Sequence, residues 1–265
     1  MRRLFPVTDE TVATTGAASP VGRQWSLDEL ADAYAYPVDA EVWLRANMVS
    51  TLDGAAQHDG RSQAISSDAD MRVFGTLRGL ADAVVAGAET VRQEGYGPAR
   101  AREAFAARRA AAGQGPAPAI AVVSAGLDLD FSLPLFTEPL VPTLVVTGSG
   151  APADRVAEAR KSGAEVVFAG DGARVDPARV VHELAARGLR RLLTEGGPRL
   201  LGQFVAAQVL DELCLTVSPM LTAGDAQRIA GGPALTVPER FALGSLLEED
   251  GYLFGRYHRG RHSAE

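Results

Sequence analysis

Short apolar runs alternate with amphipathic stretches along most of this 265-residue chain. From Val42 to Ser50 apolar residues occupy both parities at the start, as in a strand covered on both faces, and Asp53-Gly54 then signals a turn. After Ser66-Ser67, apolar residues recur at helical spacing, which predicts an N-capped helix over Asp68 to Leu80 with Met71, Phe74 and Leu77 in the core. Ala83 to Gly87 predicts a strand, with a helix starting at once from Ala88 to Glu94. Ala99 to Ala112 is rich in Ala and Arg, and predicts a helix stopped by Gly113. Strands are then predicted over Ala119 to Ser124, Thr143 to Thr147 and Glu165 to Phe168, with helices over Asp154 to Lys161 and Pro177 to Arg187.

The most informative stretch follows. Leu192 to Thr194 reads as a buried strand, and Glu195-Gly196-Gly197 as a tight turn. Pro198 then opens a helix whose apolar positions are Leu200, Leu201, Phe204 and Val205. Glycines at such a turn let the backbone approach a ligand, and free N–H groups at a helix start suit a phosphate. A carboxylate at the carboxyl end of a buried strand lies where open α/β sheets place their ligand crevice. Asp211 to Pro219 predicts one more strand, and Phe241 to His258 one or two closing strands, antiparallel at the sheet edge. The alternation implies βαβ units and a mostly parallel sheet. Residues 1–40 read as an N-terminal arm with a helix near Ser26 to Tyr36, where Ser26 and Glu29 form a capping box. Residues 41–265 read as a single domain.

Composition narrows the functional classes. A net charge of −7 argues against nucleic acid and anionic membranes as partners. One cysteine, Cys214, excludes an internal disulfide framework, and it reads as a small buried hydrophobe. The four histidines, His262 of the basic tail among them, lack metal-ligand spacing. No apolar run approaches the roughly 18 residues of a membrane span, and no signal-peptide core is evident at the N-terminus, so a cytoplasmic protein is expected.

Four segments resemble, in order, the reductase domain of riboflavin biosynthesis. Leu44 to Gly54 is similar to its first strand, which ends in S/T-L-D-G. Ser62 to Ser67, with a helix bearing Arg72 and Arg78, resembles its serine-rich turn and arginine-bearing helix. Gly87 to Glu94 resembles its G-x-x-T-V-x-x-D segment. Glu195-Gly196-Gly197-Pro198-x-Leu200, with Asp211-Glu212-Leu213 and Ser218-Pro219, resembles E-G-G-P-x-L … D-E-L … P. The likeness runs from about Val42 to His258.

The resemblance implies a dihydrofolate reductase-like α/β fold, with helices on both faces of a mostly parallel sheet and an antiparallel edge. It also implies NADPH as cofactor and a homodimer. Carried over by position, Asn47, Ala64, Thr90, Glu94 and Ser124 would contact the cofactor, and Gly196, Gly197, Pro198, Arg199 and Leu200 would wrap its pyrophosphate. Ser62, Arg78 and Glu195 would face the substrate, with Glu195 the catalytic candidate that orients it. The implied reaction is hydride transfer to a ribosylamino-pyrimidine phosphate.

Departures are visible. Asn47 stands where many members carry Lys, Ala64 where an aromatic is common, and Glu94 where Asp is usual. The family's run after its Thr-Val segment, which helps hold the substrate's sugar phosphate, is replaced by Gly95-Tyr96-Gly97-Pro98; Arg100 or Arg102 would then have to supply the phosphate anchor. The H-x-E and P-C-x-x-C zinc residues of a deaminase domain do not occur in this sequence, so no deaminase domain is expected. Two alternatives stay open: a dihydrofolate or pterin reductase on the same fold, and a non-catalytic NADPH-binding protein.

Overall fold

Each apolar run bounded by turn residues becomes a strand of one sheet. The computed structural model describes residues 1–6 and 23–260; residues 7–22 of the expected arm, and His262, lie outside the described residues. The elements are β1 (Arg2–Phe5), α1 (Leu27–Ala33), β2 (Trp43–Ser50), a short helical turn (Gln63–Ile65), α2 (Asp68–Leu80) and β3 (Ala83–Gly87). Next come α3 (Ala88–Glu94), α4 (Glu103–Ala111), β4 (Ala119–Val123), α5 (Pro134–Thr137), β5 (Leu144–Thr147), α6 (Ala153–Lys161) and β6 (Glu165–Phe168). The chain closes with α7 (Pro177–Ala186), β7 (Arg191–Thr194), α8 (Pro198–Ala206), β8 (Glu212–Val217), β9 (Phe241–Glu249) and β10 (Tyr252–Arg259).

The strand order is β1-β9-β10-β8-β2-β7-β3-β4-β5-β6. Every pairing from β8 through β6 is parallel. The pairs β8/β10, β10/β9 and β9/β1 are antiparallel. The expected architecture, a mostly parallel sheet with an antiparallel edge, is the one found.

Strand parity divides the core in two. Val84 and Ala86 of β3 pack with Leu30, Val73, Leu77 and Phe105, under α1, α2 and α4. Ala83 and Val85 point the other way, to Val180, Leu184, Leu201 and Phe204 of α7 and α8. Burial on both faces is why these strands read as continuous apolar runs. Local signals set the helix starts. Ser26 accepts from Glu29 N at 3.2 Å while Glu29 accepts from Ser26 N at 2.9 Å, completing the capping box. Asp176 accepts from Ala178 N and Arg179 N ahead of α7, and Pro198 occupies the first turn of α8.

A buried ion cluster fastens α1 to the sheet. Glu212 of β8 and Arg45 of β2 are both fully buried and meet at 2.9 Å. Arg256 of β10 donates to the other Glu212 oxygen at 2.8 Å, and Trp43 Nε1 donates to Oε2 at 2.9 Å. The same two arginines donate to the carbonyls of Ala33, Tyr34 and Ala35 at the end of α1. Cys214 is buried beside them, and burial pushes its thiol pKa far up, as suits a packing residue.

Three expectations need correction. Met71 is 49% exposed and Phe74 is only partly buried; Val73, Thr76 and Leu77 make the core stripe instead. Three-residue steps lag each helical turn by about 60°, so Met71 to Leu80 fans across about 180° of the helix surface. The Ala/Arg-rich helix starts four residues late, at Glu103, because Ala favours an existing helix but does not nucleate one. The arm also carries β1, which pairs with β9 through Arg2, Arg3 and Phe5 and is too short to show a period by which to find it.

Candidate active site

The carboxyl ends of the parallel strands carry two adjoining depressions. The first, about 350 Å³, is lined by the end of β2, the cavity side of α2, the loop after α3, and the turn after β7. Glu195 is in its wall. Arg78 Nε and Nη2 each donate at 2.6 Å, one to each Glu195 oxygen, and the Tyr96 hydroxyl donates to Oε2. The Glu195 side chain is 4% exposed and that of Arg78 27%. The Arg78 guanidinium lies 4.5 Å from the Phe74 ring centroid and 5.2 Å from that of Tyr96, a planar cation held between two π faces. Burial works against its charge, but the hydrogen bonds and charge of Glu195 outweigh this and fix Arg78 as a cation. Burial raises the Tyr96 phenol well above its ordinary pKa, and the adjacent Glu195 charge adds to the rise.

Two polar groups complete the cavity. Asp70 on α2 accepts from Ser66 Oγ at 2.6 Å and Thr216 Oγ1 at 2.7 Å; burial nonetheless raises its pKa from the ordinary aspartate value, so it retains a proton more readily than a free aspartate. Asn47 Oδ1 is buried with no hydrogen-bond partner. A buried acceptor left unmatched in a cavity wall is suited to a ligand donor.

The second depression is a groove of about 630 Å³ over the ends of β3 and β4 and the start of α8. Gly87 N donates to Gly196 O at 2.9 Å, joining the ends of β3 and β7. Gly196 has φ +89°, a left-handed conformation that only glycine adopts at little cost, and the Gly196–Gly197 peptide is cis. A Cβ on Gly197 would lie 2.6 Å from Thr90 Oγ1. Ser124, at the end of β4, lines the groove and accepts from Leu127 N at 3.0 Å.

Most of the expected site residues converge. Asn47, Ser62, Arg78, Thr90, Glu94, Glu195, Gly197 and Pro198 line the cavity. Thr90, Ser124, Gly197, Pro198, Arg199 and Leu200 line the groove. Ser62 Oγ donates to Glu94 Oε1 at 3.3 Å near the mouth. Gly196 lies behind both compartments. Ala64 is exposed and lines neither. Arg100 and Arg102 also line neither, and Arg102 stacks on Phe105 of α4. Sequence reasoning missed Tyr96 and Asp70. The signal for Tyr96 was present: a lone aromatic between two glycines where the family carries another run. Phe74, expected in the core, packs on Arg78 instead.

Comparison with known proteins places the chain. A 2,5-diamino-6-ribosylamino-4(3H)-pyrimidinone 5′-phosphate reductase of Methanothermobacter thermautotrophicus is 31% identical over 190 residues, 71% of this chain and 83% of that protein. The reductase of the same name from Aquifex aeolicus is 32% identical over 149 residues, 56% of this chain and 62% of that protein, so the match spans less than two thirds of that relative. Among solved structures, a pyrimidine reductase-like protein from Corynebacterium diphtheriae superposes with a TM-score of 0.77 at 27% identity, covering 89% of this chain and 100% of that one. The deaminase/reductase of Thermotoga maritima shares the fold, with a TM-score of 0.61 at 18% identity over 83% of this chain and 57% of that one. The family description of the RibD C-terminal domain matches residues 42–247, which span β2 through most of β9 and with them every lining segment above: this chain belongs to the RibD C-terminal domain family.

Proposed function

We propose that this chain is an NADPH-dependent reductase that takes the dinucleotide in the groove and an aminopyrimidine in the adjoining cavity. The relatives' names give a ribosylamino-pyrimidinone phosphate and its reduction; on this reading a hydride from the dihydronicotinamide would add to the sugar's anomeric carbon, the ring C–O bond would break and its oxygen would take a proton, leaving a ribityl chain. The observation that carries this reading is the common wall: Thr90, Gln93, Gly197, Pro198 and Gln227 line both compartments. Those shared residues would hold the nicotinamide end of the cofactor beside a ring bound in the cavity. The cofactor carries the hydride; the protein positions the two partners and excludes water. Gly197 to Leu200 present the start of α8 to the pyrophosphate. Arg78 and Glu195 offer donors and acceptors to the pyrimidine edge, and burial inclines the Asp70 carboxyl to hold a proton.

One observation favours a second reading, a dihydrofolate or pterin reductase. Arg78 is the one cationic side chain among the described lining residues of the cavity, and Glu195 already pairs with it, so no free cation is left there for a substrate phosphate. Loss of dihydronicotinamide absorbance with the ribosylamino-pyrimidine phosphate, its unphosphorylated form, dihydrofolate and a dihydropterin separates these readings. Turnover of the first substrate supports the pyrimidine reductase, and turnover of dihydrofolate alone replaces it. NADPH binding without turnover of any leaves a non-catalytic binding protein. We also propose a homodimer, supported by the exposed Leu221 and Val237 between β8 and β9, at 74% and 75%; light scattering at the 27.8 kDa of one chain would refute it.

A further inference from the structure

Two glycine-bearing loops take no part in the reading above. Gly148 to Gly150 follow β5, and Gly170 to Arg174 follow β6. Each is packed on the other. Ser149 N donates to Gly170 O at 2.9 Å and Gly150 N to Gly172 O at 2.7 Å, and Gly172 N donates to Ser149 Oγ at 3.0 Å. A Cβ on Gly148 would lie 2.3 Å from Gly172 O and 2.6 Å from Arg174 O, and one on Gly170 2.1 Å from Arg174 O. Main chain against main chain leaves no room for side chains, so the backbone at Arg174 is set by its neighbours. Asp171 anchors the same loop to α7 through a two-pronged pairing with Arg179 at 2.8 and 2.7 Å.

This fixed loop brings Arg174 into the groove wall, where it lines the groove but not the substrate cavity. Arg92 and Arg199 also line the groove, with Glu89 and Asp128. Arg92 is engaged by Asp128 at 3.4 Å. Among the described residues, Arg174 and Arg199 have no ion-pair partner. Arg199 sits in the first turn of α8, beside the expected pyrophosphate position. Arg174 is farther along. The strands β7, β3, β4, β5 and β6 are consecutive in the sheet, so the turn after β7 and the loop after β6 are four strand spacings apart, about 19 Å at ~4.8 Å each. A dinucleotide with its nicotinamide at the common wall would run along the groove toward this loop.

We infer that Arg174 recognises the 2′-phosphate of the adenosine ribose and thereby selects NADPH over NADH. This rests on the dinucleotide reading above. The 2′-phosphate is the charge that distinguishes the two cofactors, and a guanidinium fork matches its oxygens.

The test is calorimetric titration of NADPH and NADH into the wild type, Arg174→Ala, Arg174→Lys and Arg199→Ala. The wild type should prefer NADPH. Arg174→Ala should weaken NADPH about tenfold or more and leave NADH affinity unchanged, and that unchanged affinity also certifies its fold. Arg174→Lys, a point charge without the fork, should fall between. Arg199→Ala should weaken both cofactors alike. If Arg174→Ala keeps the wild-type preference, or the wild type shows none, this inference is overturned while dinucleotide binding stands. A wild type that binds neither cofactor overturns the dinucleotide reading as well.

Discussion

Replacing Glu212 with Gln should destabilise the protein by roughly 3–5 kcal/mol near neutral pH, the usual cost of removing one partner from a buried ion pair. Glu212 and Arg45 are fully buried, and Arg256 approaches the other carboxylate oxygen. A neutral amide leaves two guanidiniums around a group that can accept from one side only. The titration of Glu212 gives the magnitude by a second route. Burial acts to raise its pKa, but the charges of Arg45 and Arg256 override burial and hold it at about 2, against an ordinary 4.5. At about 1.36 kcal/mol per unit, that displacement is on the order of 3 kcal/mol in favour of the ionised folded state. Because the folded pKa is depressed, the contribution is complete above the unfolded value and is lost as pH falls toward the folded one. Urea unfolding of both proteins should therefore show a full gap near neutral pH that closes progressively below pH 4.5. A gap under about 1 kcal/mol, or one indifferent to acid, would refute the reasoning.

Two further perturbations address the site. Gly197→Ala places a Cβ 2.6 Å from Thr90 Oγ1, so either the threonine turns or the wall shifts; NADPH affinity should drop about tenfold or more, and Thr90→Ala in the same chain should restore part of it. Unchanged affinity in fluorescence titration would remove Gly197 from the cofactor wall. Tyr96→Phe deletes the hydroxyl that donates to Glu195, a charge-assisted bond of about 1.5 kcal/mol for a partly exposed donor. Substrate KM should rise about tenfold with NADPH affinity unchanged, and an unaltered KM would show that Tyr96 does not set the Glu195 geometry.

What was legible in the sequence was local. The strand–turn–helix at Leu192 to Leu200 could be read because Gly196, Gly197 and Pro198 each meet a backbone demand of the turn itself. The capping box at Ser26 and the strand Glu165–Phe168 were legible for the same reason. Residues that act across the fold were not. Tyr96 reaches Glu195 over 99 positions and Thr216 reaches Asp70 over 146, distances that no periodicity encodes. Arg45 interrupts an apolar strand; its partner Glu212, shared with Arg256, arrives only when β8 and β10 join the sheet. Helix α2 misled because its apolar residues serve two neighbours, the core through Val73 and Leu77 and the cavity through Met71 and Phe74.

The partition between groove and cavity has a thermodynamic meaning. Five residues form part of both linings, so a molecule in either compartment touches surface that belongs to the other. Any factor by which a dinucleotide sharpens the hold on the second reactant must be returned equally, the second reactant tightening the dinucleotide by that same factor. Gly197 has no side chain to rearrange and Pro198 is locked in φ, so the adaptable share of this partition falls to Thr90, Gln93 and Gln227. Altering those three would change the degree to which each occupant senses the other, while Arg78 and Glu195 on one side and Ser124 on the other stay in place.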